Sequence, residues 1–392
     1  MKAMIFFALL GLLLLGGVSF YLYYRLRPLL PMPGTVKGVV AKLVFVLLMM
    51  SFFVGFALQA GGMYAASAPF TIVGSWMLAA ILYLLLVFVL VDIARIVNSF
   101  TFRAEFLLYR CEYGNSAARF MALISCIVVA LVLIAGYFNA RFPVTRTIVY
   151  ETDKPVTRSF KYVLLSDIHL GMIHCDHFME ILRDRINSVE DLDFVVIAGD
   201  FFDGDPNPVV SSNVGGILRG VNTGYGIFAC TGNHEWIGNV DTASDFLRRN
   251  GVTVLRDSAA QLPFGVSIIG RDDLSHNSRR EDRRKSVREI IGGGVDTSNY
   301  MIVLDHQPPR VDRYSEIVES NIDIQLSGHT HAGAQLWPLC IFTSRMYGAH
   351  NYGQVREGNT EFYTSSGYGT WGPPIRTSSR PEIVIVEVRP RK

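Results

Sequence analysis

The sequence predicts two differently built parts: an all-α transmembrane region of about four helices, followed by an α/β domain built in layers. Three observations point there. The first 140 residues hold nearly all of the long apolar runs. After them, short β-branched runs alternate with stretches of helical periodicity. The polar residues that close those short runs are repeatedly Asp, Asn and His. With 50% hydrophobic residues and a net charge of +2 over 392 residues, the composition suits a membrane region joined to a water-exposed domain, and it offers no basic excess for nucleic acid.

Four runs, 4–24, 38–60, 70–91 and 118–138, are free or nearly free of charge. At 1.5 Å of rise per residue each reaches roughly 30 Å, the thickness of a bilayer's hydrocarbon core. The first is too long for the apolar part of a signal peptide and is followed by "YYRLRPLL" instead of small residues, so it is expected to persist as a helix. Arg25, Arg27 and Lys37 follow the first run and Arg95, Arg103, Arg110 and Arg119 follow the third, whereas "GGMYAASAP" between the second and third carries no charge. Lys and Arg collect on the cytoplasmic side, which puts the N-terminus and everything after the fourth run outside the cytoplasm. Lys42 and Asp92 sit near span ends, where they are expected to snorkel. Residues 141–157, polar and proline-containing, read as a linker, with the second domain over 158–392. The five cysteines form no CxxC pair and read as buried free thiols.

From Phe160 the chain reads as buried strands: "KYVLLSDIH", "DFVVIAGD", "GIFACTGNHE", "VSIIGRDD", "MIVLDHQPP" and "IDIQLSGHTH" are short apolar runs closed by turn residues. Between them, "CDHFMEILRDRINSV" puts Phe178, Ile181, Leu182, Ile186 and Val189 at helical spacing. "DTASDFLRRNG" reads as a helix with Asp241 near its N-cap and Gly251 past its end. The charge-dense stretch 278–291, "SRREDRRKSVREII", reads as a solvated helix laced with i,i+4 ion pairs, or as a basic face for anionic headgroups.

The strand ends carry Asp167 and His169, then Asp200, then Asn233 and His234, then His306, and last His329 and His331. In an α/β sheet the strand ends are where loops converge on ligands. Singly, each is an ordinary turn or cap residue. Five in succession, each closing a β-type run, point to one shared site. A carboxylate can bridge two cations, while neutral imidazoles and an amide oxygen fill the remaining positions without accumulating negative charge. The lack of cysteine ligands argues against a structural zinc site and the wealth of histidine against calcium, which leaves manganese, iron or zinc.

The series "DIH" at 167–169, "GD" at 199–200, "GNHE" at 232–235, His306 and "GHTH" at 328–331 resembles that of the calcineurin-like metallophosphoesterases, over residues 158–392. With "SDIHLG", "GHTHAG" and "GYGTWGPPIRTSSRPEI" it is similar to a membrane-anchored branch with multi-span N-termini. The resemblance implies a four-layer αββα sandwich and two divalent metal ions. Asp167, His169, Asp200 and His331 would hold the first, and Asp200 would bridge to a second held by Asn233, His306 and His329. His234 would stand beside the phosphate as electrostatic stabiliser and general acid. The implied reaction is hydrolysis of a phosphate ester, a diester or a lipid-linked envelope compound, by hydroxide held between the two cations. Two other readings stay open: a pyrophosphatase for a nucleotide-lipid diphosphate of the UDP-diacylglucosamine type, and a non-catalytic membrane sensor or scaffold.

Glu235 and Asp203, adjacent to ligands, read as supporting or capping groups, and His174, His177, His276 and His350 as surface or loop histidines. Trp371 and Arg376, in "GTWGPPIR", read either as a substrate wall and a phosphate contact or as parts of a structural turn. The family pattern continues G-H-x-H-x-G-Q, but here Ala334 stands between Gly333 and Gln335, so the loop beyond the ligands is expected to differ.

Overall fold

A computed structural model describes residues 2–279, 282–310 and 315–391, with side chains from residue 13 onward except at 106, 279 and 315. It contains two compact units, Met1–Ala135 and Gly136–Lys392. The first holds α1 (Lys2–Leu26), α2 (Val36–Ala60), α3 (Tyr64–Phe100) and most of α4 (Ser116–Arg141), whose last residues belong to the second unit. Among the described residues, α2, α3 and α4 are long and apolar enough to cross a bilayer. The expected run 4–24 lies within α1, and its side chains up to residue 12 lie outside those described. Asp92 departs from expectation. It accepts hydrogen bonds from Tyr21 Oη (2.6 Å), Arg25 Nη1 (2.7 Å) and Arg95 Nη1 (2.9 Å), with Arg25 buried. A charge with three donors gains nothing by snorkelling, and removal of its carboxylate would strand a buried guanidinium.

The second unit begins with β1 (Val144–Thr152), β2 (Phe160–Leu165), α5 (Asp176–Asn187), β3 (Phe194–Ala198), α6 (Asn207–Val210) and α7 (Val214–Arg219). It continues through β4 (Ile227–Cys230), α8 (Asn233–Ile237), α9 (Val240–Arg249), β5 (Val252–Val254), β6 (Ser258–Leu262), β7 (Val266–Gly270), α10 (His276–Arg279) and α11 (Val287–Ile291). It ends with β8 (Tyr300–Leu304), α12 (Ser315–Glu319), β9 (Ile324–Ser327), α13 (Cys340–Tyr347), β10 (Gly353–Glu357), β11 (Thr360–Thr364) and β12 (Glu382–Pro390). The strands form two six-stranded sheets, in the orders β1-β12-β2-β3-β4-β5 and β10-β11-β9-β8-β7-β6. Strands β2 to β5 run parallel, as do β7, β8, β9 and β11.

Alternate side chains of each strand point to opposite faces and feed two cores per sheet. Val163, Val195 and Ile197 face Met179, Leu182, Ile217 and Leu247 of the covering helices. Their neighbours Tyr162, Leu164, Phe194 and Val196 meet Ile268, Ile302, Ile324 and Leu326 of the other sheet. On its far side, Met301 and Val303 pack under Val287, Ile290 and Ile317 of α11 and α12. The result is the expected αββα sandwich, and strands buried on both faces explain the unbroken apolar runs.

Three local expectations change. Residues 141–157, read as a linker, carry β1, which pairs in parallel with β12 from Val144 to Thr152. Its outer face is exposed, so its pattern looked like polar connection. The stretch 278–291 is not one helix. Ser286 and Glu289 form a capping box that starts α11, and Arg284 is drawn inward onto buried Asp305 at 2.9 and 3.1 Å. Arg280 and Glu281 of that stretch lie outside the described residues. Finally, α9 is capped by Asn239, whose Oδ1 accepts from Thr242 N at 3.0 Å, and not by Asp241.

Candidate metal centre

The parallel strands bring their carboxyl ends to one rim. Asp167 and His169 follow β2, Asp200 follows β3, Asn233 and His234 open α8 after β4, His306 follows β8, and His329 and His331 follow β9. His331 Nε2 lies 3.1 Å from His169 Nε2 and 3.6 Å from Asp167 Oδ1. His306 Nε2 lies 3.1 Å from both Asp200 Oδ2 and Asn233 Oδ1, and His329 Nδ1 is 2.8 Å from that same Asn233 oxygen. All seven expected ligands and His234 are therefore gathered in one place.

The backbone there is tightly drawn. The loops after β2 and β3 run side by side, with His169 N donating to Asp200 O (3.1 Å) and Leu170 N to Phe201 O (2.8 Å). The glycines of the motifs are required by this closeness. A Cβ on Gly232 would fall 2.1 Å from Asp200 Oδ1, and one on Gly328 would fall 2.2 Å from Asp167 Oδ2. Removing the side chain lets the donors approach: His234 N reaches Asp200 Oδ1 at 2.8 Å, and His329 N reaches both Asp167 oxygens at 3.0 Å.

Supporting groups aim the ligands. His306 Nδ1 donates to Ala198 O at 2.8 Å, which turns Nε2 toward the centre. Glu235 accepts from Asp200 N (3.1 Å), Phe202 N (3.0 Å) and Gly232 N (2.6 Å), and so ties the β3 and β4 loops together. Asp203 Oδ1 stands 3.6 Å from His169 Nδ1 and 3.5 Å from His234 Nδ1. The supporting role read for Glu235 and Asp203 agrees with these contacts. Arg376 does not stand where a phosphate contact would. Fully buried, it donates to Gly369 O at 3.1 Å and to Ser366 O at 2.6 Å, and its Nη2 lies 3.1 Å from His331 Nδ1. Nε2 of His331 is the nitrogen that faces His169 and Asp167, so Nδ1 carries the proton in any state that lets Nε2 hold a cation, and Arg376 packs against the back of the ring. Trp371 is 40% exposed, flanks the site beside Gly372, whose N–H bonds Asp203, and exchanges backbone hydrogen bonds with the Gln335 side chain.

Of the four spare histidines only His177 is a surface group. His174 is buried, stacks on Phe178 and bonds Thr370 Oγ1 at 2.8 Å, while His276 and His350 are buried beside Asp272 and Glu357. Asp272, the penultimate residue of the run "VSIIGRDD", was not singled out in the sequence, although its place at a strand end was the available signal.

The electrostatics suit a cation. Burial pushes the Asp167 carboxyl up to about 6. Burial likewise opposes ionisation of Asp200, but His306, 3.1 Å away, holds it well below the ordinary range, and Asp200 in turn holds His306 above its own range against burial. Burial pushes His234 down, and burial also pushes His329 down to about 3, so both are neutral at pH 7. Burial lowers Arg376 to about 10, still cationic at neutral pH. Three groups, Asp167–His169–His331, His169–Asp200–His234 and Asp200–His306–His329, each keep their ligand atoms within 4.8 Å of one another. Converging imidazoles, buried carboxylates and an amide oxygen, with no lysine among them, fit divalent metal ions of borderline character.

A layered α/β fold with His, Asp and Asn gathered at its strand ends is a scaffold with a candidate metal centre at its rim. Residues 160–333 match the calcineurin-like phosphoesterase family. An uncharacterised metallophosphoesterase of Campylobacter jejuni is 32% identical over 281 residues, which cover 71% of this chain and 72% of that one. Another, from Aquifex aeolicus, is 32% identical over 61% of this chain and 89% of its own length. A transmembrane protein with metallophosphoesterase domain from Danio rerio is 29% identical over 68% of this chain and 62% of its own. The chain belongs to the calcineurin-like metallophosphoesterases.

Proposed function

We propose that the protein is an integral membrane phosphoester hydrolase with a dinuclear centre. Asp167, His169, Asp200 and His331 would hold one cation, and Asp200, Asn233, His306 and His329 the other. The observation that carries this reading is the sharing of Asp200 between two of the three ligand groups, the arrangement a bridging carboxylate needs. Manganese, iron or zinc would suit the donors. When bound, such ions neutralise charge on the phosphate oxygens and acidify water.

The chain's own residues do the rest. Asp167 and Asp200 are locked by backbone donors, so the donor atoms keep their spacing without reorganisation. His234, neutral and with Nδ1 3.5 Å from Asp203 Oδ1, would present an imidazole N–H toward a leaving oxygen instead of a full positive charge. Trp371, half-exposed next to Gly372, would wall one side. The substrate proposed is a diester or a lipid-linked phosphate compound, which a tether to the bilayer would keep at high local concentration.

Purified protein with Mn²⁺ is expected to hydrolyse bis-p-nitrophenyl phosphate or p-nitrophenyl phosphate, with Asp200→Asn lowering kcat by more than about 100-fold. Wild-type turnover by Asp200→Asn would overturn the assignment. The loop charges favour a catalytic domain outside the cytoplasm. In a bacterial host, a C-terminal alkaline phosphatase fusion is then expected to be active and a green fluorescent protein fusion dark; the reverse pattern would put the site inside.

A further inference from the structure

We infer that the surface formed by Trp337, Leu339, Ile341, Phe342, Met346 and Trp371 is seated in the bilayer interface beside the end of α4. These six side chains are 52%, 37%, 47%, 66%, 51% and 40% exposed, and they come from two short segments, around α13 and in the 367–376 loop. Elsewhere in the same unit large exposed apolar residues such as Val149, Ile181, Val210 and Ile237 stand apart in the sequence and in different elements. Scattered apolar residues need no partner, whereas a contiguous group of this kind does.

What covers the group follows from its attachment. Asn139, in the last turn of α4, donates to Arg376 O (2.9 Å) and Ser379 O (2.8 Å), while Arg376 N donates to Gly136 O (2.9 Å). The next residue, Thr377, accepts Trp337 N on its hydroxyl at 2.9 Å and donates its own N–H to Gln335 O at 2.8 Å. Gln335 in turn holds Trp371 at both N and O. A continuous series of hydrogen bonds therefore runs from the end of a bilayer-crossing helix to both tryptophans. Phe138 and Phe142, at that same helix end, are exposed as well.

The chemistry of the surface is that of a headgroup region. No Asp or Glu occurs from 328 to 356 or from 362 to 381, although the chain holds 34 acids. Arg141 and Arg345 are exposed in or beside these segments. Tryptophan, phenylalanine and arginine without carboxylates are what the membrane–water interface and its anionic lipids select. A second copy of the chain could bury apolar groups too, but it would not account for the direct tie to α4. Docking of α13 has a consequence for the centre, whatever reaction it runs. Tyr347, the last residue of α13, meets the His329 ring edge-on at 6.0 Å, so the docked helix leads from the lipid surface to the metal ligands.

The test uses the full chain in vesicles of phosphatidylethanolamine and phosphatidylglycerol. With the five native cysteines replaced by Ala or Ser, an environment-sensitive nitrobenzoxadiazole label is placed by Phe342→Cys, or by Asp245→Cys on the exposed face of α9. The Phe342→Cys label is expected to be quenched by doxyl-labelled lipid and shielded from aqueous iodide, and the Asp245→Cys label to behave oppositely. Iodide quenching at both positions would overturn the inference, as would shielding from both quenchers together with cross-linking between copies. On the chain with native cysteines, brominated lipid is expected to quench a smaller fraction of tryptophan emission after Trp337→Phe and Trp371→Phe together, and an unchanged fraction would equally overturn it. None of these readouts depends on phosphoesterase activity, so loss of p-nitrophenyl phosphate turnover would count against the enzyme reading alone.

Discussion

Asp167, His169, Asp200, His329 and His331 share a left-handed backbone, with φ between 50° and 69°. For residues with a Cβ this conformation costs about 1 kcal/mol or more each. It persists because each side chain is needed on the inner side of a strand end from which the chain turns away. The cost is offset by short backbone donors, such as the paired 3.0 Å contacts from His329 N to Asp167. Ala334 extends the same conformation. From His331 to Ala334 four consecutive residues have φ of 50°, 57°, 97° and 83°, with Gly333 N returning to Thr330 O at 2.9 Å. The residue that departs from the family pattern thus lengthens a left-handed turn beyond the ligands and delivers Gln335 to Trp371, leaving the ligands themselves in place.

At the scale of elements, the centre depends on loops that must keep register with one another, and Glu235 is the tie between those after β3 and β4. Its two oxygens accept three backbone N–H groups. In Glu235→Gln one oxygen becomes an NH₂ that faces a backbone donor, so at least one N–H loses its partner while Asp200 and Asn233 lose their common anchor. The expected result is a fold that survives with Mn²⁺ affinity lowered by about 10- to 100-fold, read by calorimetric titration; unchanged affinity would show that the loops hold register without it. The strands that feed this rim were legible because β2, β3, β4, β7, β8 and β9 are buried on both faces and closed by unmistakable polar residues. Edge and hairpin strands were not. In β1 most positions are exposed or half-buried, and in β6 and β10 none is buried, so "SAAQL" and "GQVRE" carry no apolar run to detect. Buried charges were equally hidden. Arg376 meets its partner His331 45 residues away and Arg25 meets Asp92 67 residues away, distances over which a single sequence holds no pairing signal.

For the whole domain, one buried carboxylate ties together elements from both sheets. Asp272, just past β7, accepts from Trp236 Nε1 (3.0 Å), Arg256 Nε and Nη2 (3.0 and 2.9 Å) and His276 Nδ1 (3.0 Å), and from the Thr231 hydroxyl. These partners come from α8, the β5–β6 connection, α10 and the β4 end, so the cluster fastens both sheets at once. Burial works against ionisation of Asp272, yet Thr231, His276 and Arg256 hold it below the ordinary range. Burial also pushes His276 down, but its hydrogen bonds to Asp272 and Asp282 prevail and hold it above the ordinary range. A lowered carboxylate stabilises the fold above its unfolded pKa of about 3.9 and loses that effect as pH falls through its native value. A raised histidine does so fully below its unfolded pKa of about 6.5 and loses the effect as pH rises through its native value. The cluster is therefore strongest between about pH 4 and 6.5. With metal removed by chelator, the Tm difference between wild type and His276→Gln is expected to be largest near pH 5.5 and to shrink toward pH 8.5. A difference that is flat across that range, or grows with pH, would mean that the His276–Asp272 pair carries no charge-dependent part of the domain's stability.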